Sequence, residues 1–134
     1  MKYRLSVAIV LASVLVGCTG SKNEGSELPS LTPAEAAKSL DDDTSVVFLD
    51  VRSTAEYASE SGHLRGAVLI PVDSLQTRIT ELDPLKSKTF VVYCRSGARS
   101  ARAQKLLVEN GFHVLNMLGG MLRWNKEHLP VVKE

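Results

Sequence analysis

The sequence predicts an α/β fold built on a parallel sheet covered on both faces, and three observations predict it. Short apolar runs recur along the chain: Val46-Val47-Phe48-Leu49, Ala67 to Ile70, Phe90 to Tyr93 and His113 to Met117. They are continuous rather than alternating, as in strands buried on both faces. Stretches with helical signals separate them, and strands alternating with helices imply parallel pairing. A single cysteine, Cys94, follows the third run directly. It is thereby placed at the carboxyl end of a strand, where open sheets of this kind receive ligands.

Taken in order, Thr32-Pro33 reads as an N-cap followed by proline at the first helical position, and Ala34 to Leu40 is helix-friendly. Asp41-Asp42-Asp43 reads as a solvated turn rather than a carboxylate metal site. Val46 to Leu49 is the first buried strand. Ser53-Thr54-Ala55-Glu56 fits a capping box that opens a short helix through Ser59. Gly62-His63-Leu64-Arg65-Gly66 is a loop, and the strand Ala67 to Ile70 is stopped by Pro71. Asp73 is expected to cap a helix running to about Leu82. After the strand Phe90 to Tyr93, the stretch Ala101 to Glu109 is predicted helical, burying Ala103, Leu106 and Leu107 and turning Arg102, Lys105 and Glu109 outward. Asn110-Gly111 ends it with a residue that tolerates positive φ. His113 to Met117 is the last strand. Gly119-Gly120 turns the chain into a short helix whose Trp124 is expected in the core.

The chain has 134 residues and a formal net charge of +1. Lys2 and Arg4 precede an apolar run from Leu5 to Val16, which is shorter than the roughly 20 residues a membrane-spanning helix needs. It reads as a signal peptide. Its end, Leu15-Val16-Gly17-Cys18, resembles the bacterial lipobox, which implies cleavage before Cys18 and acylation of its sulfur. Several acyl chains make a stable anchor where one binds weakly. Thr19 stands where Asp is the usual inner-membrane retention signal, so in a Gram-negative cell the resemblance implies the outer membrane, facing the periplasm. Without residues 1–17 the sixteen basic residues fall to fourteen against fifteen acidic ones, a net charge of −1. That balance argues against nucleic-acid binding. With Cys18 acylated, Cys94 is left as a free thiol with no disulfide partner. Residues 18–30 are polar and read as a flexible tether with a reach of roughly 20 Å. Residues 31–134 suit one small domain.

The chemistry concentrates in Cys94-Arg95-Ser96-Gly97-Ala98-Arg99-Ser100. A thiol between a strand end and a helix start meets inward-pointing backbone amides and the positive end of the helix dipole. Its pKa is expected below the usual value of about 8.5. Arg95 and Arg99 push the same way, so the site suits a thiolate that meets an anion.

The ordered set Leu49-Asp50-Val51-Arg52, Glu56-Tyr57, Gly62-His63-Leu64-Arg65-Gly66-Ala67, Ile70-Pro71, the Cys94 loop, and Gly119-Gly120 with Trp124 resembles a single-domain rhodanese, a sulfurtransferase. The resemblance covers Leu31 to about Val131. It implies a three-layer α/β/α domain with a five-stranded parallel sheet, whose very short first strand would lie near Leu31. It also implies that Cys94 takes sulfur from a small anionic donor such as thiosulfate, holds it as a persulfide, and passes it to cyanide or a thiol. The amides from Arg95 to Ser100 would cradle that sulfur. Arg95 and Arg99 would attract the donor, Ser96 and Ser100 would offer hydroxyls, and Gly97 would let the loop curl. No metal or organic cofactor is needed. Phosphatases of the same fold carry five residues between cysteine and arginine, and here four separate Cys94 from Arg99. The smaller cradle sets sulfur transfer ahead of phosphatase or arsenate chemistry. A different class of reading is a membrane-tethered persulfide carrier or thiol redox module that serves one periplasmic thiol protein.

Other residues have plainer readings. Asp50 and Arg52 are expected to order the loops at their strand end, with contact to substrate as the sharper alternative. Arg52 and Glu56 are expected to form a surface pair of little energetic worth. His63 is expected to hydrogen-bond within its loop, and His113 and His128 have no functional partner. No Cys/His spacing resembles a zinc site.

Overall fold

The computed structural model describes residues 27–41 and 43–134. The expected signal segment 1–17, the lipidation site Cys18, the tether up to residue 26 and Asp42 of the expected turn lie outside the described residues. Five strands form one sheet: β1 (Ser30–Leu31), β2 (Val46–Asp50), β3 (Val68–Leu69), β4 (Thr89–Tyr93) and β5 (His113–Met117). All pairings are parallel and the order is β1-β5-β4-β2-β3. Among the described residues five α-helices accompany it: α1 (Pro33–Ala37), α2 (Thr54–Tyr57), α3 (Val72–Arg78), α4 (Ala98–Glu109) and α5 (Gly120–Lys126). This is the three-layer α/β/α domain expected, including the short first strand at Leu31.

Strand β4 is central. It pairs with β2 from Val46↔Thr89 to Asp50↔Tyr93 and with β5 from Thr89↔His113 to Val92↔Asn116. Side chains alternate between the two faces of a strand. Val47, Leu49, Phe90, Val92 and Val114 therefore pack with Leu75 of α3 and with Ala103 and Leu107 of α4. Phe48, Val91, Tyr93 and Met117 pack on the opposite face with Ala36 of α1 and with Met121 and Trp124 of α5. Cys94 continues the alternation of Phe90 and Val92 and joins the α3–α4 side.

Two of the three anticipated N-caps form. Thr32 and Ser53 each accept the amide of the glutamate three residues on, and each glutamate reaches back to the cap amide. The helices that follow are shorter than expected. α1 stops at Ala37, and the chain goes on in tighter turns, with the Ser39 amide donating to the Ala36 carbonyl at 3.0 Å and the Leu40 amide to the Ala37 carbonyl at 3.2 Å. α2 stops at Tyr57, where the Ser59 hydroxyl donates to the Glu56 carbonyl at 2.7 Å.

Three expectations are corrected. Asp73 is not a cap: α3 starts at Val72, with Pro71 in the cap position and no side-chain cap bond, so Asp73 already lies in the first turn. The helix does not reach Leu82 as an α-helix. It tightens into a 3-10 segment, Ile79–Leu85, because Pro84 inside it lacks the amide that continuation requires. α4 begins at Ala98 rather than Ala101, and its buried face is Ser100, Ala103, Gln104 and Leu107, with Leu106 only partly covered. Gln104 is tolerated there because its amide donates to the carbonyls of Pro29 at 2.7 Å and Val114 at 3.0 Å, fastening β1 to the sheet.

Trp124 has no exposed surface, and its Nε1–H donates to the Pro130 carbonyl at 3.1 Å. Trp124→Ala is expected to lower stability by about 3–5 kcal/mol, read as a reduced urea midpoint at unchanged slope.

Candidate active site

Strand β4 delivers Cys94, three residues follow, and α4 begins. The turn is that short because Gly97 sits at φ +104°, a conformation that side chains with a Cβ rarely adopt. The first turn of α4 consequently wraps the thiol. The Gly97 N–H donates to Cys94 Sγ at 3.1 Å, and the Ser100 hydroxyl lies 3.4 Å from it. Cys94 is 1% exposed. Burial pushes the thiol pKa up, but the Ser100 hydroxyl and the amides of Ser100, Gly97 and Ser96 outweigh it, leaving the pKa below its ordinary value. The thiolate is the nucleophilic form of cysteine, so this setting favours reactivity.

Helix α5 holds the loop from the other side. The Met121 N–H donates to the Cys94 carbonyl at 2.9 Å and the Leu122 N–H to the Arg95 carbonyl at 3.0 Å. So close an approach requires glycine at position 120. A Cβ there would press against the Cys94 carbonyl and lie 2.6 Å from that of Arg95, and the backbone is at φ +54°.

The charges are arranged otherwise than expected. Arg52 does not pair with Glu56. It is buried, and its guanidinium donates to both Asp50 carboxylate oxygens, with the shortest contact 2.6 Å, and further to the Gly62 carbonyl at 2.9 Å and Ser61 Oγ at 3.1 Å. Asp50 also accepts the Arg52 amide at 2.9 Å. The pair thus ties the end of β2 to the loop before Leu64. Glu56 instead takes Arg99, with Arg99 nitrogens 2.8 and 2.7 Å from its two oxygens. The pair is two-pronged because a planar guanidinium matches a carboxylate. Arg99 first, then the Ser53 amide and hydroxyl, hold the Glu56 carboxyl at about 2, below its ordinary 4.5, against a smaller opposing effect of burial.

Each candidate residue can now be placed. Cys94, Gly97 and Ser100 meet at the sulfur. Ser96 contributes its backbone amide, while its side chain and that of Ala98 are exposed. Arg95 is exposed and makes no salt bridge among the described residues. Arg99 is engaged by Glu56. Asp50 and Arg52 are a buried pair, and Cys18 lies outside the described residues. A cavity of about 280 Å³ opens beside the loop, lined by Arg52, Glu56, Ser59, Ser61, Arg95, Met121, Leu122 and Asn125. Cys94 is not among its lining residues.

The His63 ring does not bond within its own loop: it reaches back to the end of α2, with Nδ1 3.2 Å from the Tyr57 carbonyl and the ring stacked on Tyr57 at 3.7 Å. Sequence reasoning missed Asn116, whose Nδ2 lies 3.4 Å from the Gly97 carbonyl, and the role of Glu56. A lone amide at an inward position of an apolar strand was the available signal for Asn116. Among the described residues, no group of three or more His, Cys, Asp and Glu side chains is placed to hold a metal ion.

Comparison with known proteins gives a consistent result. The family described as Rhodanese-like domain matches residues 32–127. A protein named Sulfurtransferase from Allochromatium vinosum is 37% identical over 94 residues, covering 69% of this chain and 84% of that one. A tRNA uridine(34) hydroxylase from Cytophaga hutchinsonii is 37% identical over 101 residues, covering 72% of this chain but 31% of that longer protein. Among solved structures, a rhodanese-related protein from Thermoplasma volcanium superposes with a TM-score of 0.71 at 28% identity, covering 79% of this chain and 99% of that one.

Two tests follow from the geometry. Gly120→Ala is expected to displace the Cys94 loop and remove most thiol reactivity, measured as the rate of alkylation at neutral pH. For Glu56, a depressed pKa contributes stability above pH 4.5 that is lost as pH falls toward about 2. Glu56→Gln should therefore flatten the stability–pH curve across that window relative to wild type. Parallel curves for the two proteins would contradict the pairing.

Proposed function

The chain belongs to the rhodanese-like domain family, whose relatives include sulfurtransferases, and on that premise we propose that it is a thiosulfate-type sulfurtransferase working through a persulfide on Cys94. The observation that carries this reading is the sulfur's setting: a thiol with a lowered pKa, held by the Gly97 amide and the Ser100 hydroxyl at the start of a twelve-residue helix. In the first half-reaction the Cys94 thiolate attacks the outer sulfur of thiosulfate. The S–S bond of the donor breaks, sulfite departs with the bonding electron pair, and a Cys94 persulfide remains. In the second, cyanide or a thiolate attacks the terminal sulfur, and Cys94 leaves as the regenerated thiolate. The two steps share one covalent intermediate, so ping-pong kinetics follow. The helix-start amides stabilise the anion on the terminal sulfur. Arg95 supplies an exposed positive charge for the donor. Arg99, shared with Glu56, contributes less charge than its position in the loop suggests.

A second reading, a persulfide carrier serving a protein acceptor, is favoured by one observation. Leu122, half exposed, lines the cavity beside Arg95 and gives that rim an apolar contact. We further propose that acylation of Cys18 anchors the chain in the bacterial cell envelope, a reading supported by the sequence Leu15-Val16-Gly17-Cys18.

The test is an intact mass spectrum after incubation with thiosulfate, followed by cyanide and measurement of thiocyanate. Wild type is expected to gain the mass of one sulfur and discharge it with turnover, while Cys94→Ser gains none and its turnover falls to background. A gain discharged only by a protein thiol would select the carrier. Undiminished turnover in Cys94→Ser would overturn the mechanism.

A further inference from the structure

The Ser100 hydroxyl carries one proton and faces two acceptors. It lies 3.1 Å from the Gly97 carbonyl and 3.4 Å from Cys94 Sγ. Ser100 is fully buried, so the proton is shared between those two. The Gly97 carbonyl oxygen has two lone pairs. Ala101 N–H occupies one at 3.1 Å. The other lies within reach of both the Ser100 hydroxyl and Asn116 Nδ2, the latter at 3.4 Å.

Asn116 is nine-tenths buried on the face of β5 that carries Val114, and its Oδ1 is enclosed with no hydrogen-bond partner among the described residues. A buried acceptor without a donor is costly, and an apolar residue at this strand position would avoid that cost. Turning the amide over would set Oδ1 against the Gly97 oxygen, acceptor to acceptor, so the assigned orientation is the favourable one. What the side chain contributes is therefore the donor at Nδ2.

We propose that Asn116 is a positioning residue for the reactive cysteine: by holding the Gly97 carbonyl, its amide releases the Ser100 hydroxyl proton to the Cys94 sulfur. The inference rests on the reading of Cys94 as the sulfur-transferring thiol. With a neutral thiol, Ser100 favours the carbonyl, its nearer acceptor. With sulfur as thiolate or persulfide anion, the charge-assisted bond is the stronger one, and the hydroxyl turns to it. Gly97 then keeps its carbonyl satisfied through Asn116 and Ala101.

The test is a double-mutant cycle on the full chain with Asn116→Leu, Ser100→Ala and both together. The readout is the pH dependence of iodoacetamide alkylation, which gives the apparent pKa of Cys94 without requiring sulfur transfer. The charged groups around the thiol are Arg95 and Arg99 of its own segment, Glu56 of α2, the Asp50–Arg52 pair beside β2 and the Arg123–Glu127 pair of α5. All are the same in the four proteins. Asn116→Leu is expected to raise the apparent pKa and slow alkylation below it about threefold to fivefold, the size of one ordinary hydrogen bond. In the Ser100→Ala background it is expected to change nothing further. An unchanged pKa, or the same shift in both backgrounds, would overturn the proposal. Asn116→Val, smaller and suited to a strand, carries the same expectation if leucine is not accommodated. Loss of coupling with sulfur transfer intact refutes this role alone. Coupling in a protein that takes no sulfur from thiosulfate refutes the assigned donor and leaves the positioning role standing.

Discussion

The structure depends on one constraint: the chain must pass from the end of β4 into α4 in three residues while curling around a sulfur atom. Gly97 makes the passage possible, and its positive φ fixes where the helix starts. Once the helix starts there, its first-turn amides face Cys94, and Ser100 and Ala103 are turned inward. Small side chains are needed at those places. The opposite side of the loop is then left with two carbonyls, those of Cys94 and Arg95. The first amides of α5 satisfy them, which in turn requires glycine at position 120. Features distant in sequence thus answer a single local demand.

The charges near the loop divide into two kinds of work. Asp50 and Arg52 are removed from water, and burial would weaken both ions if each were alone. Their mutual bonds, with the Gly62 carbonyl and Ser61 hydroxyl, compensate. This pair sets the position of the loop that carries His63 and Leu64, where the Leu64 amide donates to Tyr93 Oη. Glu56 and Arg99 are about one-third exposed, and their attraction is screened accordingly. Their effect lies in direction more than strength: Arg99 is drawn toward α2, and Arg95 remains the loop cation open to an incoming anion.

Much of this was legible in the sequence because it is local. The strands announced themselves as apolar runs, the cap of α1 as Thr32 before Pro33, the capping box of α2 as Ser53 with Glu56, and the site as a cysteine between strand and helix. What was not legible is pairing between distant residues. Glu56 already had a sufficient local explanation as a cap, so nothing in its neighbourhood called for Arg99. Asp50 and Arg52, two residues apart, order the loops at their strand end as their sequence implies, and only the surface pair of Arg52 with Glu56 fails, because Arg99 takes Glu56. Gln104 and Asn116 interrupt apolar faces, and their acceptors are backbone carbonyls supplied by other elements. The start of α4 was misplaced by three residues because a helix beginning directly after a left-handed glycine has no side-chain cap to announce it. Asp73 was misassigned for the converse reason: a good cap residue stood near a helix start that Pro71 had already set.

The strand order also governs the timing of assembly. A ribosome releases the chain from its N-terminus, and domains form as their parts become available. β2 and β4 can pair while β5 is still being made. β1, although synthesised before the other four strands, must wait for β5, its only neighbour in the sheet among the described residues. The two amides that grip the Cys94 loop come later still, in α5. A nascent chain therefore carries an ordinary, loosely held thiol from the addition of Cys94 until α5 has formed. The reactive setting closes around the sulfur only when the last helix arrives, so the cysteine's reactivity comes last, after the sheet that supports it.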